Sequence, residues 1–115
     1  MKSTTTFELV LVAFPFSDLS TKKKRPCLVL KSYDVRKLGT YLVVCMVTSQ
    51  LEGLHFPGDL ILTGWREAGL PKPSLVRVSK LVTIEESLVL KRLGQLNVAD
   101  AKSLRAIWKD FAQVD

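Results

Sequence analysis

The chain has 115 residues, of which 47% are apolar and 24% charged, so it is expected to form a single folded domain over residues 1–115. Its apolar runs are too short to cross a membrane, and the N-terminal run ends in large residues, which argues against a signal peptide. The net charge of +6, from 17 basic and 11 acidic residues, favours a polyanionic partner such as RNA, DNA or an acidic protein.

The cysteine and histidine content argues against a metal site. Cys27 and Cys45 lie inside apolar runs, as buried free thiols do, and His55 is the only histidine. These three residues are too few and too far apart for a metal-ligand cluster, so no cofactor is expected. A reducing cytoplasm is the predicted location.

The first two-thirds of the chain predicts short strands rich in aliphatic and β-branched residues. These predicted strands cover residues 8–14, 26–32, 40–49 and 59–63. Residues 64–74 carry glycine and proline at both ends and have room for one helical turn at most. Residues 75–84 alternate in polarity, which predicts a half-buried strand that exposes Arg77 and Ser79 together.

The C-terminal segment has the period of a helix. Asn97 is a favoured N-cap, Asp100 lies in the first turn, and apolar residues recur at helical spacing. The members of this predicted apolar face are Val98, Ala101, Leu104, Trp108 and Phe111. The fold class is therefore mainly β (α+β), a bent antiparallel sheet or small barrel closed by one C-terminal helix.

Four consecutive positive charges precede the second predicted strand. Proline at position 26 marks the change from loop to strand and holds Arg25 close to a rigid edge, while Lys22 to Lys24 stay on the loop. A fixed guanidinium can present its planar fork to a phosphate, whereas mobile lysines only attract an anion. The alternative is a solvated run of charge that discourages aggregation.

Other polar positions have a functional and a structural interpretation. Thr48, Ser49 and Gln50 close the third strand, where they can bond phosphate or simply end the strand through local hydrogen bonds. Lys72 lies between two prolines shortly before Arg77. Three further side chains could act on RNA, or be incidental or core residues: His55, Phe56 and Trp65.

The order of motifs resembles the MazF/PemK (Kid) family of toxins. The segments are "ELVLVAFPFSDLSTKKKRPCLVL", "VVCMVTSQ", "GDLIL", "AGLPKPSLVRVSKLVTI" and "LVLKRLGQL", from about Glu8 to Leu96. This resemblance implies the small SH3-like barrel of the CcdB/Kid/MazF type, acting as a homodimer. It also implies a metal-independent endoribonuclease that cuts single-stranded RNA and is inhibited by a small acidic antitoxin.

The resemblance also implies site residues. Arg25, Thr48 and Arg77 correspond to catalytic positions. Contacts to RNA are expected from Lys24, Ser49, Gln50, Ser79 and Lys80.

Two positions depart from the family pattern. Ser79 stands where many members have aspartate, and Phe7-Glu8 stands where many have Gly-Asp. Because serine is a poor base, a catalytically weakened or inactive RNA- or antitoxin-binding member is the alternative. A toxin acting on a protein is a third class, which the arginines disfavour.

Overall fold

A computed structural model describes residues 6–14 and 23–114 of the chain. Its regular elements are β1 (Glu8–Phe14), β2 (Lys23–Val35), β3 (Gly39–Thr48), β4 (Asp59–Ile61), β5 (Leu75–Glu85), β6 (Val89–Gln95) and α1 (Val98–Phe111). The strands form one six-stranded sheet in the order β4-β5-β3-β2-β1-β6, and each neighbouring pair is antiparallel. The mainly β fold with a C-terminal helix is therefore confirmed.

The predicted strands are confirmed, with shifted boundaries. β2 begins at Lys23, so Lys23 and Lys24 belong to the strand and not to a loop, while Lys22 lies outside the described residues. Pro26 pairs with β1, and pairing of β2 with β3 begins only at Cys27. Proline is therefore placed where β2 has one neighbour, which limits the cost of its missing amide hydrogen.

Strand β6 was not predicted as a separate element. It carries the exposed Lys91 and Arg92, so it lacks the apolar run by which the central strands were recognised. Pairing with β1 makes it a strand, with two irregularities in the register. Residues 64–70 form a compact turn, in which the Ala68 amide donates to the Gly64 carbonyl, in agreement with the single helical turn expected there.

The central strands are buried on both faces. Consecutive residues point to opposite faces, so that Cys27 and Leu28 belong to two different apolar clusters. The first cluster includes Leu104 of α1, and the second joins residues of β1, β2 and β3 to Ile84 of β5. Because strands that are not neighbours meet in this second cluster, the sheet curls around it in the manner of a small barrel. Burial on both faces explains why the central strands are continuous apolar runs and do not alternate with polar residues.

Helix α1 begins as predicted but packs through fewer residues. The Asn97 side chain accepts a hydrogen bond from the Asp100 amide, as an N-cap does. Leu104 is buried and Trp108 packs against the first cluster, whereas Val98 is 87% exposed and does not join the predicted apolar face. Position 98 faces solvent because the buried side chain of the first turn is Asp100.

Phe7 has the backbone conformation that a glycine adopts easily. Its φ is +66°, in the left-handed region that costs roughly 1–2 kcal/mol for a residue with a β-carbon. Its ring packs against the first cluster and lies under the Arg105 guanidinium, 5.0 Å from it, and this burial offsets the strain. The departure from glycine at position 7 is therefore accommodated without a change of fold.

No helix in the described part of the chain is long and apolar enough to cross a membrane.

Candidate active site

Strand register places the three predicted catalytic residues side by side. Arg25 shares a face of β2 with Cys27, Cys27 pairs with Met46 on β3, and Met46 pairs with Arg77 on β5. Directly opposed residues of antiparallel strands project to the same face of the sheet. Thr48 lies two residues after Met46 on β3, so it projects to that face as well. The three side chains therefore lie together on the face that carries the second cluster, beyond its last apolar residues.

A surface pocket forms at this place, which we call the catalytic pocket after the predicted catalytic residues in its lining. It is lined by Arg25, Met46, Val47, Thr48, Arg77 and Lys80. Three of these side chains are cations and none is an acid, so the pocket attracts an anion. The polar groups of its lining residues are two guanidinium groups, an ammonium group and a hydroxyl, all of which can donate hydrogen bonds to phosphate oxygens.

Two further pockets adjoin the catalytic pocket through shared lining residues, and we call the three together the basic groove. An adjoining pocket shares Arg25 and Thr48 with it and adds Lys24, Ser49 and Lys72. A third pocket shares Ser49 and Lys72 with the second and adds Gln50, Glu52 and Pro73. The lining of this basic groove thus includes every predicted RNA contact except Ser79.

Arg77 is held from several sides. Its Nε and Nη2 atoms donate to the two carboxylate oxygens of Asp59 at 3.0 and 2.9 Å, and Nη2 also donates to the Leu54 carbonyl at 3.3 Å. The guanidinium carbon lies 4.1 Å from the centre of the Phe56 ring. Asp59 and Arg77 are direct cross-strand partners on β4 and β5, which explains why these two side chains meet.

The two groups shift each other's pKa. Burial acts to raise the pKa of Asp59, but hydrogen bonds from Arg77 and from the Phe56 amide outweigh it and hold that pKa below its usual value. The hydrogen bond to Asp59 correspondingly raises the pKa of Arg77. The pair is therefore a carboxylate and a guanidinium at neutral pH.

Arg25 and Thr48 present their polar groups differently. The Arg25 side chain is exposed, and within the described part of the chain its guanidinium has no hydrogen-bond partner. The Thr48 hydroxyl oxygen accepts from the Gln50 amide at 3.1 Å, so the strand-ending hydrogen bond considered from the sequence is present. Thr48 also lines the pocket, and its hydroxyl keeps a proton to donate.

Ser79 and Lys80 lie in an irregular part of β5. The register advances by one residue on β3, from Cys45 to Met46, but by four on β5, from Leu81 to Arg77. Residues 78–80 therefore bulge, and simple alternation no longer places Ser79 on the face of Arg77. The Ser79 hydroxyl is buried without a partner among the described residues, whereas Lys80 reaches the pocket.

The remaining candidates have different environments. His55 is about half exposed, with Nδ1 4.0 Å from the Asp59 carboxylate, and Phe56 contacts Arg77 and Lys80. Trp65 packs against the first cluster, which supports the core interpretation. No group of three or more potential metal ligands occurs among the described residues.

Asp59 was not singled out from the sequence. It was seen only as the first residue of a short predicted strand. Aligning that strand with residues 75–77 as an antiparallel pair would have placed a carboxylate opposite Arg77. That register depends on the intervening turn, which the sequence does not fix.

A curled antiparallel sheet with a C-terminal helix and a cationic groove describes a small β protein suited to bind a polyanion. The model of the PemK-like, MazF-like toxins of type II toxin–antitoxin systems matches residues 5–111. Endoribonuclease MazF6 of Mycobacterium tuberculosis and Endoribonuclease MazF2 of Mycobacterium bovis are each 30% identical over 84 residues, covering 71% of this chain and 72% of the relative. The chain therefore belongs to the MazF/PemK toxin family, whose named relatives are endoribonucleases.

Solved structures agree on the fold. Toxin MazF-mt6 of Mycobacterium tuberculosis superposes with a TM-score of 0.65 at 23% identity, over 94% of this chain and 99% of its own. MazE–MazF of Deinococcus radiodurans gives 0.68 at 15% identity over the whole of both chains. A mycobacterial endoribonuclease in complex with its cognate antitoxin gives 0.70 at 10% identity, over 98% and 99%.

Proposed function

We propose that this protein is the toxin of a type II toxin–antitoxin pair and a metal-independent, sequence-selective endoribonuclease that cuts single-stranded RNA. The observation that carries the proposal is that Arg25, Thr48 and Arg77, from three different strands, line one pocket. Family membership supplies the reaction class, and the basic groove supplies a path for the RNA backbone.

The proposed reaction is attack of a ribose 2′-oxygen on the adjacent phosphorus. The new bond closes a 2′,3′-cyclic phosphate, the bond from phosphorus to the 5′-oxygen breaks, and the leaving oxygen takes up a proton. Negative charge grows on the phosphorane oxygens in the transition state. Arg25 and Arg77 stabilise that charge, an effect worth several kcal/mol when donors are fixed in advance.

The proton of the 2′-hydroxyl needs an acceptor. The Ser79 hydroxyl is buried and Ser79 does not line the pocket, and both oxygens of Asp59 already accept hydrogen bonds. Thr48 lines the pocket and is the hydroxyl that positions the reacting groups and relays the proton. His55 lies on the adjoining loop, and its imidazole is the other candidate acceptor of that proton.

The proposed partners follow from the same groove. An acidic antitoxin would compete with RNA for its cations, and solved structures of similar fold include a toxin in complex with its cognate antitoxin. A homodimer and a cytoplasmic location complete the proposal. Co-expression with a small acidic protein encoded beside the toxin gene should suppress RNA cleavage in proportion to the complex formed.

The direct test uses a long unstructured RNA and purified protein in EDTA. We expect discrete fragments that end in a 2′,3′-cyclic phosphate and begin with a 5′-hydroxyl. An otherwise identical substrate with 2′-deoxyribose at the cleaved position should stay intact. RNA that is bound in a salt-sensitive manner but never cut would support the alternative, a non-catalytic binding protein, and would refute the enzyme.

A further inference from the structure

We propose that Asp59 is a positioning residue that holds the Arg77 guanidinium in the orientation needed at the scissile phosphate. The role rests on the proposed function, since it presumes that Arg77 acts on phosphate. Asp59 does not itself line the catalytic pocket.

The hydrogen bonds from Arg77 fix the guanidinium plane. Nε and Nη2 each donate to a different carboxylate oxygen, which is the bidentate fork geometry, and Nη2 donates again to the Leu54 carbonyl. An arginine has five such hydrogens, and these three bonds leave the two on Nη1. Within the described part of the chain no partner takes the Nη1 hydrogens, so they are available to a phosphate oxygen.

Asp59 is itself fixed in place. Its side chain is only 6% exposed, it stands opposite Arg77 in the β4–β5 pair, and it accepts a hydrogen bond from the Phe56 amide at 2.9 Å. The lowered pKa keeps this carboxylate charged throughout the neutral range. A buried, charged and fully bonded carboxylate is suited to orient a neighbour and unsuited to accept a substrate proton.

Phe56 adds a second restraint on the same arginine. Its ring lies 4.1 Å from the Arg77 guanidinium carbon and 5.5 Å from the Lys80 ammonium nitrogen. Because the Phe56 amide also bonds Asp59, one loop restrains both members of the pair. Residues 54–59 therefore act as a clasp around Arg77.

The variant Asp59→Asn distinguishes a role in orienting Arg77 from an effect of the negative charge of Asp59 alone. Loss of a negative charge beside a basic groove should strengthen RNA binding if Asp59 acts only through its field. If it orients Arg77, we expect kcat to fall about 10- to 100-fold with KM changed less than about threefold, because small misplacements of a catalytic group are costly. Asp34→Asn is the matched control, an exposed carboxylate bonded to Thr40 whose loss should leave kcat unchanged.

A double-mutant cycle tests whether Asp59 works through Arg77. In an Arg77→Ala background, Asp59→Asn should lower kcat less than about twofold further, because the group it orients is gone. Arg77→Lys keeps the charge but not the fork, so it should match the defect of Asp59→Asn. Full additivity in the cycle, or an undiminished kcat in Asp59→Asn, would overturn the positioning role.

A measurement without turnover separates this inference from the proposed function. The ¹⁵N-labelled Nε–H group of Arg77 should give a slowly exchanging NMR signal in the wild type and a rapidly exchanging one in Asp59→Asn. Equal exchange in the two proteins overturns the inference. Intact RNA with the wild-type protein would refute the proposed function, whereas cleavage together with a fully active Asp59→Asn would refute only the positioning role.

Discussion

Arg77 and Asp59 face each other across the β4–β5 pair and form a two-pronged ion pair, with Nε to Oδ1 at 3.0 Å and Nη2 to Oδ2 at 2.9 Å. The arginine lines the catalytic pocket and the aspartate lies behind it. The carboxylate beside Arg77 thus comes from the neighbouring strand β4, whereas Ser79, two residues after Arg77 on β5, offers no carboxylate.

Arg25→Ala should abolish most cleavage without unfolding the protein. The side chain is exposed, so its loss leaves no cavity, but it removes one of two guanidinium groups from the pocket. We expect kcat to fall about 10²–10³-fold, the usual cost of deleting a transition-state donor. Arg36→Ala, in the exposed turn at the far end of β2, is the control, and equal losses in the two variants would remove Arg25 from the site.

Thr48→Val should lower kcat about 100-fold, whereas Thr48→Ser should retain most of it. Both replacements fit the end of β3, but only serine keeps the hydroxyl that lines the pocket. His55→Gln should change kcat less than about threefold, because the imidazole lies outside that lining. Single-turnover cleavage rates of the three variants measure these effects. A large fall in the rate of His55→Gln would reassign the proton transfer to the imidazole.

Lys72→Ala should weaken RNA binding evenly across sequences and reduce its salt dependence. Lys72 lines two of the adjoining pockets of the groove, where it can neutralise one phosphate. For single strands the slope of log K against log salt changes by about 0.7 for each phosphate contact. Fluorescence anisotropy at four salt concentrations measures that slope, and an unaltered slope would place the RNA path elsewhere.

Asp100→Ala should destabilise the fold by about 3 kcal/mol or more. The buried carboxylate accepts hydrogen bonds from the Thr63 amide, the Thr63 hydroxyl and the Gly64 amide, which join the start of α1 to the segment after β4. Hydrogen bonds to a charged group contribute about 1.5–3 kcal/mol each. Urea unfolding should show this loss beside a near-neutral Asp110→Ala on the exposed side of α1, and similar midpoints for the two variants would contradict it.

Stability should depend on Asp59 in acid. Because the folded state lowers the pKa of Asp59 below the ordinary 3.8, the unfolded chain binds more protons in that range. The stability that the wild type gains over Asp59→Asn should be fully present above about pH 4. It should vanish as the pH falls through the lowered pKa. Urea midpoints of both proteins from pH 7 to pH 2 measure the difference, and a gap that widens in acid would contradict the assignment.

The sequence by itself determined the β-rich fold, the C-terminal helix and the family. The strand at residues 8–14 and the N-cap at Asn97 could be predicted because both depend on local periodicity and capping, which a short window of sequence contains. The order of motifs indicated the family, and the resemblance pointed to Arg25, Thr48 and Arg77 as candidate site residues.

Only the tertiary structure decided which side chains meet. The convergence of positions 25, 48 and 77 depends on the pairing of β2, β3 and β5, and the partnership of Asp59 with Arg77 depends on the register of β4. The bulge at residues 78–80 removed Ser79 from the face that alternation predicted. Register and bulges arise from contacts between segments distant in the chain, and no local pattern of residues encodes them.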